Sequence, residues 1–477
     1  MTKLQHTFIL APLCMGLWFS SCKMLNPPGK KENTGMPDTF VGGRDSLNSG
    51  KLSWKTYFKD QDLRDLIDTA LSHNQELNRM IQEIEIAKNE ARARKGAYLP
   101  FIGVGLNSMV EKTPLYTSKG ASDAANSILP GKPVPDPLHN YAGGFTMSWE
   151  LDIWKKLRNT RKAALYRYFA STEGKNFMVT NLVSEIANAY YELLALDNQL
   201  AILQSNIDIQ QNALDIVKLE KSAAKVTELA VRKFEAEVLK NQSRQFYIRQ
   251  QIVETENRIN YLLGRFPQPV KRNSQGFLTN PVDTVYAGVP SQLLLNRPDI
   301  RKAEQELAAS KLDVKAARAE FYPSLMISAG SGLEAFHPAY LLRSPQSLAY
   351  HLAGDLLAPL VNRNALKAQL YSANARQIQA VYQYEQRILN AHVEVVNQLA
   401  NLANLKKSFE LKNKQVETLT QSIDISTTLF RSARADYMEV LMTQRDALDS
   451  KFELVDTKKQ QLNALVNIYR ALGGGWR

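Results

Sequence analysis

Residues 143–154 read GGFTMSWELDIW. In an extended strand, successive side chains project to opposite faces. Phe145, Met147, Trp149 and Leu151 then share one side, and Thr146, Ser148, Glu150 and Asp152 the other. One side is large and apolar, the other polar or charged, which is the pattern of a strand between two unlike environments. The question is what the apolar side touches in a chain that otherwise reads as long charged helices.

Three further strand regions accompany this one. FIGVGLNSMV (101–110) precedes a polar loop over 111–142, after which the strand of 143–152 returns. SLMISAGSG (324–332) leads to SLAYHLAGDL (347–356), where Leu348, Tyr350 and Leu352 share one side and Ser347, Ala349, His351 and Asp355 the other. Strands of about ten residues suffice to cross an outer membrane at a tilt. The apolar sides would then face lipid and the polar sides a water-filled lumen, with Trp149 and Trp154 suited to an interfacial belt. Alternation alone would equally suit a soluble sheet packed on helices.

The 477 residues are 44% hydrophobic and 22% charged, enough to bury a large core. The net charge is +12, but Lys and Arg are interspersed with Asp and Glu along helical stretches. That distribution reads as solvated helix faces, not as a nucleic-acid surface. The only cysteines are Cys14 and Cys22, so the rest of the chain has no disulfide or thiolate metal site. The six histidines are isolated, with no pair at metal-ligand spacing. There is no GxxxxGK[ST] phosphate loop and no HExxH, and GVG (103–105) lies inside a strand. Glu83 and Glu85 read as helix-surface charges. No enzyme, cofactor or metal is expected.

Lys3, the short apolar run FILAPLCMGLWF (8–19) and SSC (20–22) form a secretory signal over 1–21 that ends before a cysteine. It resembles a bacterial lipobox, which predicts lipidation of Cys22. NPPGKKENTGMPD (26–38) then reads as a flexible tether within a lipidated segment 22–52. No later stretch is long and apolar enough for a membrane-spanning helix.

Gly and Pro are absent from 175–263 and again from 360–472. Leu182, Ile186, Ala189, Leu193, Leu196, Leu200, Leu203 and Ile207 step by four and three, and Leu214 and Val217 continue the register. Val416, Leu419, Ile423 and Phe430 follow a similar one. A 3.5-residue repeat keeps one seam against a partner helix over many turns. The chain also repeats itself. NALDIVKLEKSAAKVTELAV (212–231) lies over QSIDISTTLFRSARADYMEV (421–440), and residues 74–100 lie over 297–323. The expected organisation is a first repeat over 53–264, a linker over 265–290 and a second repeat over 291–477. Each repeat holds a helix, a strand pair and a long helical hairpin.

Four strands cannot close a transmembrane barrel, which needs at least about eight. Open edges in lipid leave unpaired backbone groups at several kcal/mol each. A membrane role therefore requires several copies, and three would supply twelve strands.

WELDIW (149–154), LLLNRPDIRKAEQELAASKLDVKAARAEFYP (293–323) and ALGGGW (471–476) resemble the TolC-like outer-membrane factors, in the lipoprotein branch serving resistance–nodulation–division efflux pumps. The likeness runs from 53 to 476. It implies a mainly α protein with a transmembrane β-barrel. A homotrimer would contribute four strands per protomer to a 12-stranded outer-membrane barrel, joined to a long periplasmic α-helical barrel. It implies the outer membrane of a Gram-negative bacterium, a lipid anchor and contact with outer-membrane lipid. Its implied partners are a periplasmic adaptor and an inner-membrane transporter, and its role is a passive exit duct for drugs or other small toxic compounds. Lipid-facing positions would be Phe145, Met147, Trp149, Leu151, Leu348 and Tyr350. Asp436 and Arg434 would lie near the periplasmic gate, and Ala224, Lys225, Thr227 and Ala433 at adaptor-contacting tips. The family usually has Gly where Ala224 and Ala433 stand. Two other readings are the exit duct of a type I secretion system and a non-conducting coiled-coil lipoprotein. Neighbouring genes would separate efflux from secretion, and conductance would separate duct from strut.

Overall fold

The structure, a computed structural model, describes residues 27–40, 47–281, 284–432 and 434–477. The signal segment, Cys22 and Ala433 lie outside the described residues. The main elements are α1 (Gln61–His73), α2 (Gln75–Gly96), β1 (Phe101–Glu111), β2 (Leu138–Leu151), α3 (Lys156–Ser222) and α4 (Glu228–Leu262), followed by α5 (Pro298–Ala319), β3 (Ser324–Ala335), β4 (Leu348–Leu357), α6 (Asn364–Arg431) and α7 (Tyr437–Ala471). The long helices α3 and α6 have 67 and 68 residues, and α4 and α7 have 35 each. Nearly equal lengths, with α4 and α7 offset by 209 at both ends, are the structural form of the internal repeat. No helix among the described residues is long and apolar enough to cross a membrane.

The chain divides in space across its repeats. Of the described residues, one unit takes 27–32, 92–163 and 307–382, and the other takes those within 33–91, 164–306 and 383–477. The first unit holds an antiparallel sheet in the order β1-β2-β3-β4, whose two outer strands have no further partner strand among the described residues. Beside it, Ala317 of α5 packs with Leu370 and Ala373 of α6. The second unit has the larger core. Leu63 and Ile67 of α1 meet Leu182, Ile186 and Leu193 of α3, Ile259 and Leu263 near the end of α4, and Tyr469 of α7. Tyr469 stacks on Tyr57 at 4.0 Å and donates to the Leu52 carbonyl at 2.7 Å.

The heptad positions of α3 are buried from Leu182 to Val217, with Leu200 partly covered. Two apolar clusters follow one another along its hairpin with α4, one around Leu203 and Ile248 and one around Leu214 and Phe234. Between them, the buried Asn241 amide donates to Gln210 Oε1 at 2.8 Å. The seam of α6 is less covered. Val416, Leu419 and Ile423 are half-buried, and Leu389, Leu411 and Ile425 are exposed. On α4, Leu239, Phe246 and Val253 recur at sevens and are exposed as well. A repeat of seven that stays open within one protomer marks a seam without its partner helix.

Several local expectations are corrected. The strand of 143–152 begins at Leu138 and ends at Leu151, and Asp152 is not part of it. Asp152 instead accepts the backbone N–H groups of Leu157 and Arg158, both at 2.9 Å, and so caps α3. The loop over 111–142 contains a helix, Ser118–Ala125, and a small hairpin of Ser127–Leu129 with Lys132–Pro133. Ser347 precedes β4 and is buried, its N–H and Oγ both directed to the Arg343 carbonyl, so it is not a polar-face strand position.

The segment read as a free tether is docked. In the first unit, the amide groups of Asn374 and Gln377 donate to the carbonyls of Pro28 and Lys30, and Glu32 pairs with Lys311 at 2.8 Å. Lys311 and a backbone hydrogen bond hold the Glu32 carboxyl below its ordinary range. In the second unit, the Asn33 N–H donates to Glu385, and Phe40 is buried on His392. Composition could not reveal this, because the partners lie more than 270 residues away.

Candidate functional site: a two-faced sheet and paired helical tips

Cross-strand pairing defines the faces of the sheet, because directly opposed residues point the same way. Val104 opposes Phe145, Phe145 opposes Ser331, and Ser331 opposes Tyr350. The next row is Ile102, Met147, Ala329 and Leu352, and the row on the other side is Leu106, Gly143, Leu333 and Leu348. Trp149 opposes Ile327, and Leu151 opposes Leu325. Phe145, Met147, Trp149, Leu151, Leu348 and Tyr350 therefore stand on one face. That face carries no charged residue, and its centre is open, with Val104 72%, Phe145 63% and Tyr350 80% exposed. An apolar surface of this extent is built to be covered by something other than water.

The centre of the opposite face is small and polar, with Phe101, Met109, Met326 and Leu357 toward its ends. One row is Gly105, Gly144, Gly332 and Ala349, and the next is Gly103, Thr146, Gly330 and His351. A Cβ on Gly144 would lie 2.4 Å from the Ser331 carbonyl oxygen, and one on Gly332 would lie 2.4 Å from that of Gly143. Any side chain there would force the strands apart. Glu334 stands toward the loop end of this face, and Glu150 and Asp355 toward the helix end.

Aromatic rings mark the helix end of the sheet. Trp149 Nε1 donates to the Tyr98 carbonyl at 3.0 Å, and Arg161 donates to the Tyr98 hydroxyl at 3.2 Å. Trp154 stacks on Tyr322 at 4.6 Å and donates to the Pro323 carbonyl at 2.7 Å.

The two helical hairpins turn through five residues each, 223–227 and 432–436. Ala224 takes a left-handed conformation, φ +58°. Its N–H donates to the Lys221 carbonyl and that of Lys225 to Glu220, both at 2.9 Å, which is a Schellman stop. At the second turn the Arg434 N–H donates to Leu429, the equivalent bond. Ala224 keeps the glycine geometry and bears the Cβ strain, which costs about 1–2 kcal/mol outside glycine. Ala224→Gly is therefore expected to stabilise the first tip by roughly 1 kcal/mol. Hydrogen exchange at Lys225 should slow severalfold, and unchanged exchange would show that Ala224 is unstrained.

The tips share the Lys225–Glu220 and Arg434–Leu429 closing bond and differ in chemistry. Lys221 pairs with Glu228, which also pairs with Arg232 at 2.8 Å, and Arg232 with Glu235 at 2.9 Å. Lys221 holds the Glu228 carboxyl below the ordinary range. The equivalent second-tip residues are Phe430, Tyr437, Leu441 and Gln444. Phe430, Tyr437 and Leu441 pack on the first hairpin around Phe234. Thr227 and Asp436 precede α4 and α7 without a side-chain cap bond. Lys225, Arg434 and Asp436 have no side-chain partner among the described residues, and Arg434 and Asp436 are exposed.

One buried ionic cluster lies in the RPDI segment. Arg297 makes a two-pronged pair with Asp299 at 2.8 and 3.0 Å, reaches Glu394 at 2.8 Å and donates to the Ala471 carbonyl at 2.9 Å. Burial alone would lower its pKa, but Asp299 and Glu394 outweigh it and raise it. In the sequence this segment stands out only as part of the stretch that carries the family resemblance, and its partners at 394 and 471 do not show there. Among the described residues, no group of three or more His, Cys, Asp and Glu is placed to hold a metal.

The family profile described as "Outer membrane efflux protein" matches residues 66–265 and 289–474. The chain is 28% identical over 438 residues to the pyoverdine export outer membrane protein OpmQ of Pseudomonas aeruginosa, covering 92% of this chain and 90% of that one. It is 25% identical to the cation efflux system protein CusC of Escherichia coli O6:H1, covering 98% and 99%. In fold it matches the crystal structure of a membrane protein from Pseudomonas aeruginosa with a TM-score of 0.85 at 24% identity, covering 94% and 99%. With two hairpin repeats, a one-sided apolar sheet and a family match over most of its length, the chain belongs to the outer membrane efflux protein family and is an outer-membrane efflux channel.

Proposed function

We propose that this channel is a homotrimer whose twelve strands close one barrel in the outer membrane, and that it conducts small toxic compounds passively. The observation that carries the reading is the apolar face of the sheet together with the two unpaired outer strands. Lipid tolerates such a face but not such edges. Three copies joined β1 to β4 would leave no edge. The exposed sevens on α4 and the exposed Leu389, Leu411 and Ile425 of α6 support a helical partner from the neighbouring copy. Lipid at Cys22 would hold the docked N-terminal segment to the membrane. An inner-membrane resistance–nodulation–division transporter would supply the energy, and a periplasmic adaptor would dock on the tips around Ala224, Lys225, Thr227 and Ala433. The purified protein should form discrete channels in a planar bilayer. Intact trimers that never conduct would leave only the strut.

At the periplasmic end, three copies of Asp436 around the axis would repel one another unless paired. Arg434 of the neighbouring copy is the proposed partner. Asp436→Ala and Arg434→Ala are each expected to raise single-channel conductance. The double variant should show less than the sum, because a shared interaction is lost once. Unchanged conductance in all three would assign closure to helix packing alone.

A further inference from the structure

The chain segments that join the sheet to its helices carry an uneven charge. Residues 92–100, 152–163, 311–323 and 358–367 hold thirteen Lys and Arg against three Asp and Glu. At the other end of the sheet, 112–137 and 336–347 hold four against two. Within the first group, Lys156 pairs with Glu150, Arg158 with Asp152 and Lys311 with Glu32. Arg92, Lys95, Lys155, Lys162, Lys315 and Lys367 are exposed and have no carboxylate partner among the described residues. The excess positive charge is therefore presented to the surroundings and is not used inside the fold.

This band continues the apolar face. The order along that side runs from aliphatic rows to Trp149, then to Tyr98, whose carbonyl accepts from Trp149 and whose hydroxyl accepts from Arg161. The Arg161 guanidinium also lies 5.7 Å from the Tyr98 ring centre. Aliphatic, then ring with a polar tip, then cation is the profile a bilayer presents from hydrocarbon to headgroup. The loop side also has a ring with cations, Tyr340, whose hydroxyl accepts from Lys132 at 3.4 Å and whose ring centre lies 4.8 Å from the Arg343 guanidinium. The two ends therefore differ in the amount of unpaired positive charge.

We propose that this collar binds the headgroups of acidic phospholipids in the leaflet next to the helices. The proposal rests on the reading of the apolar face as lipid-facing and names the lipid class which that face selects. Lys and Arg form charge-assisted hydrogen bonds to phosphate oxygens. Each basic group close to an anionic surface strengthens association up to about fivefold, and the effect fades beyond roughly 10 Å at moderate salt. Four unpaired cations per protomer on the segments flanking β1 and β2 (Arg92, Lys95, Lys155 and Lys162) are the main contributors.

The test uses the full chain purified in detergent. It is offered to vesicles of phosphatidylcholine alone and to vesicles containing roughly a third phosphatidylglycerol, and folded protein floating with lipid is measured. The wild type is expected to favour the acidic vesicles by at least about tenfold at low salt, and less at high salt. The variant Arg92→Gln, Lys95→Gln, Lys155→Gln, Lys162→Gln should insert into neutral vesicles as the wild type does and lose the preference. A loop-end variant, Lys112→Gln, Lys119→Gln, Lys132→Gln, should keep it. Equal wild-type insertion into both vesicles, or a preference that survives in the collar variant, overturns the proposal and leaves the membrane reading standing. Failure of the wild type to enter either vesicle overturns the reading of the apolar face as lipid-facing and the collar with it.

Discussion

Leu352→Arg is expected to abolish or sharply reduce assembled protein in the outer membrane, while Ala353→Arg, one residue on, is expected to assemble normally. Leu352 opposes Ala329 in the middle of β3 and shares its row with Met147 and Ile102. Ala353 opposes Ser328 on the polar face. A cation placed at the midplane of a lipid-facing barrel surface costs about 2–4 kcal/mol per copy, and three copies would carry it. On the lumen side the same side chain stays in water and should shift ion selectivity toward anions. Leu348→Arg lies in a row nearer the loops and should cost less, since the penalty falls toward the interface. Heat-modified gel mobility and outer-membrane yield read the comparison. Equal tolerance at Leu352 and Ala353 would mean that the two faces meet the same environment.

Arg297→Ala is the second large effect, and it acts in the helical part. Arg297 is 7% exposed, and its guanidinium bonds Asp299, Glu394 and the Ala471 carbonyl together. Removing it leaves the buried Asp299 carboxylate and the Ala471 carbonyl without this donor, while Glu394 keeps Arg470 at 2.9 Å. Breaking a buried pair in this way costs about 3–5 kcal/mol. Arg297→Lys should recover little, because a single ammonium cannot reproduce the two-pronged contact with Asp299. Chemical denaturation in detergent, followed by helical circular dichroism, measures the loss. The sheet mutants should leave this transition in place. A cost below about 1 kcal/mol would show that water reaches the carboxylates once the guanidinium is gone.

The readable parts of the molecule were those with a local period. The seam of α3 steps by four and three, and each of its positions is covered in the fold because helix geometry returns those positions to one side. The turns at 223–227 and 432–436 fall in the repeated tips, the second copy reinforcing the first. The alternation of 145–151 placed each side chain on its face before any partner strand was known. Misreadings arose where local chemistry pointed one way and packing another. Gly143 and Gly144 look like the start of a strand after a loop, yet they lie inside β2. The close approach of β3 leaves no room for a Cβ on Gly144. Ser347 fits an alternating pattern but is drawn into the turn by the Arg343 carbonyl. Asp152 fits the same pattern but meets the bare N–H groups opening α3, which a strand position could not satisfy.

Periodicity, the missing Gly and Pro, and the internal repeat were enough to establish paired long helices, two equivalent hairpins and strands with unlike faces. Each of these follows from the geometry of neighbouring residues, which the order of side chains encodes directly. The folded chain settled what neighbours cannot encode. It set Phe145 beside Ser331 and Tyr350, so that four separate apolar sides became one surface. It brought Arg297 to Glu394 and Ala471, laid the Pro28–Glu32 stretch against Asn374 and Lys311, and made one tip a charge network and the other an apolar wedge. Those contacts join residues far apart along the chain. Their partners are selected by shape, desolvation and charge pairing in the packed state, and no local pattern of residues carries that information.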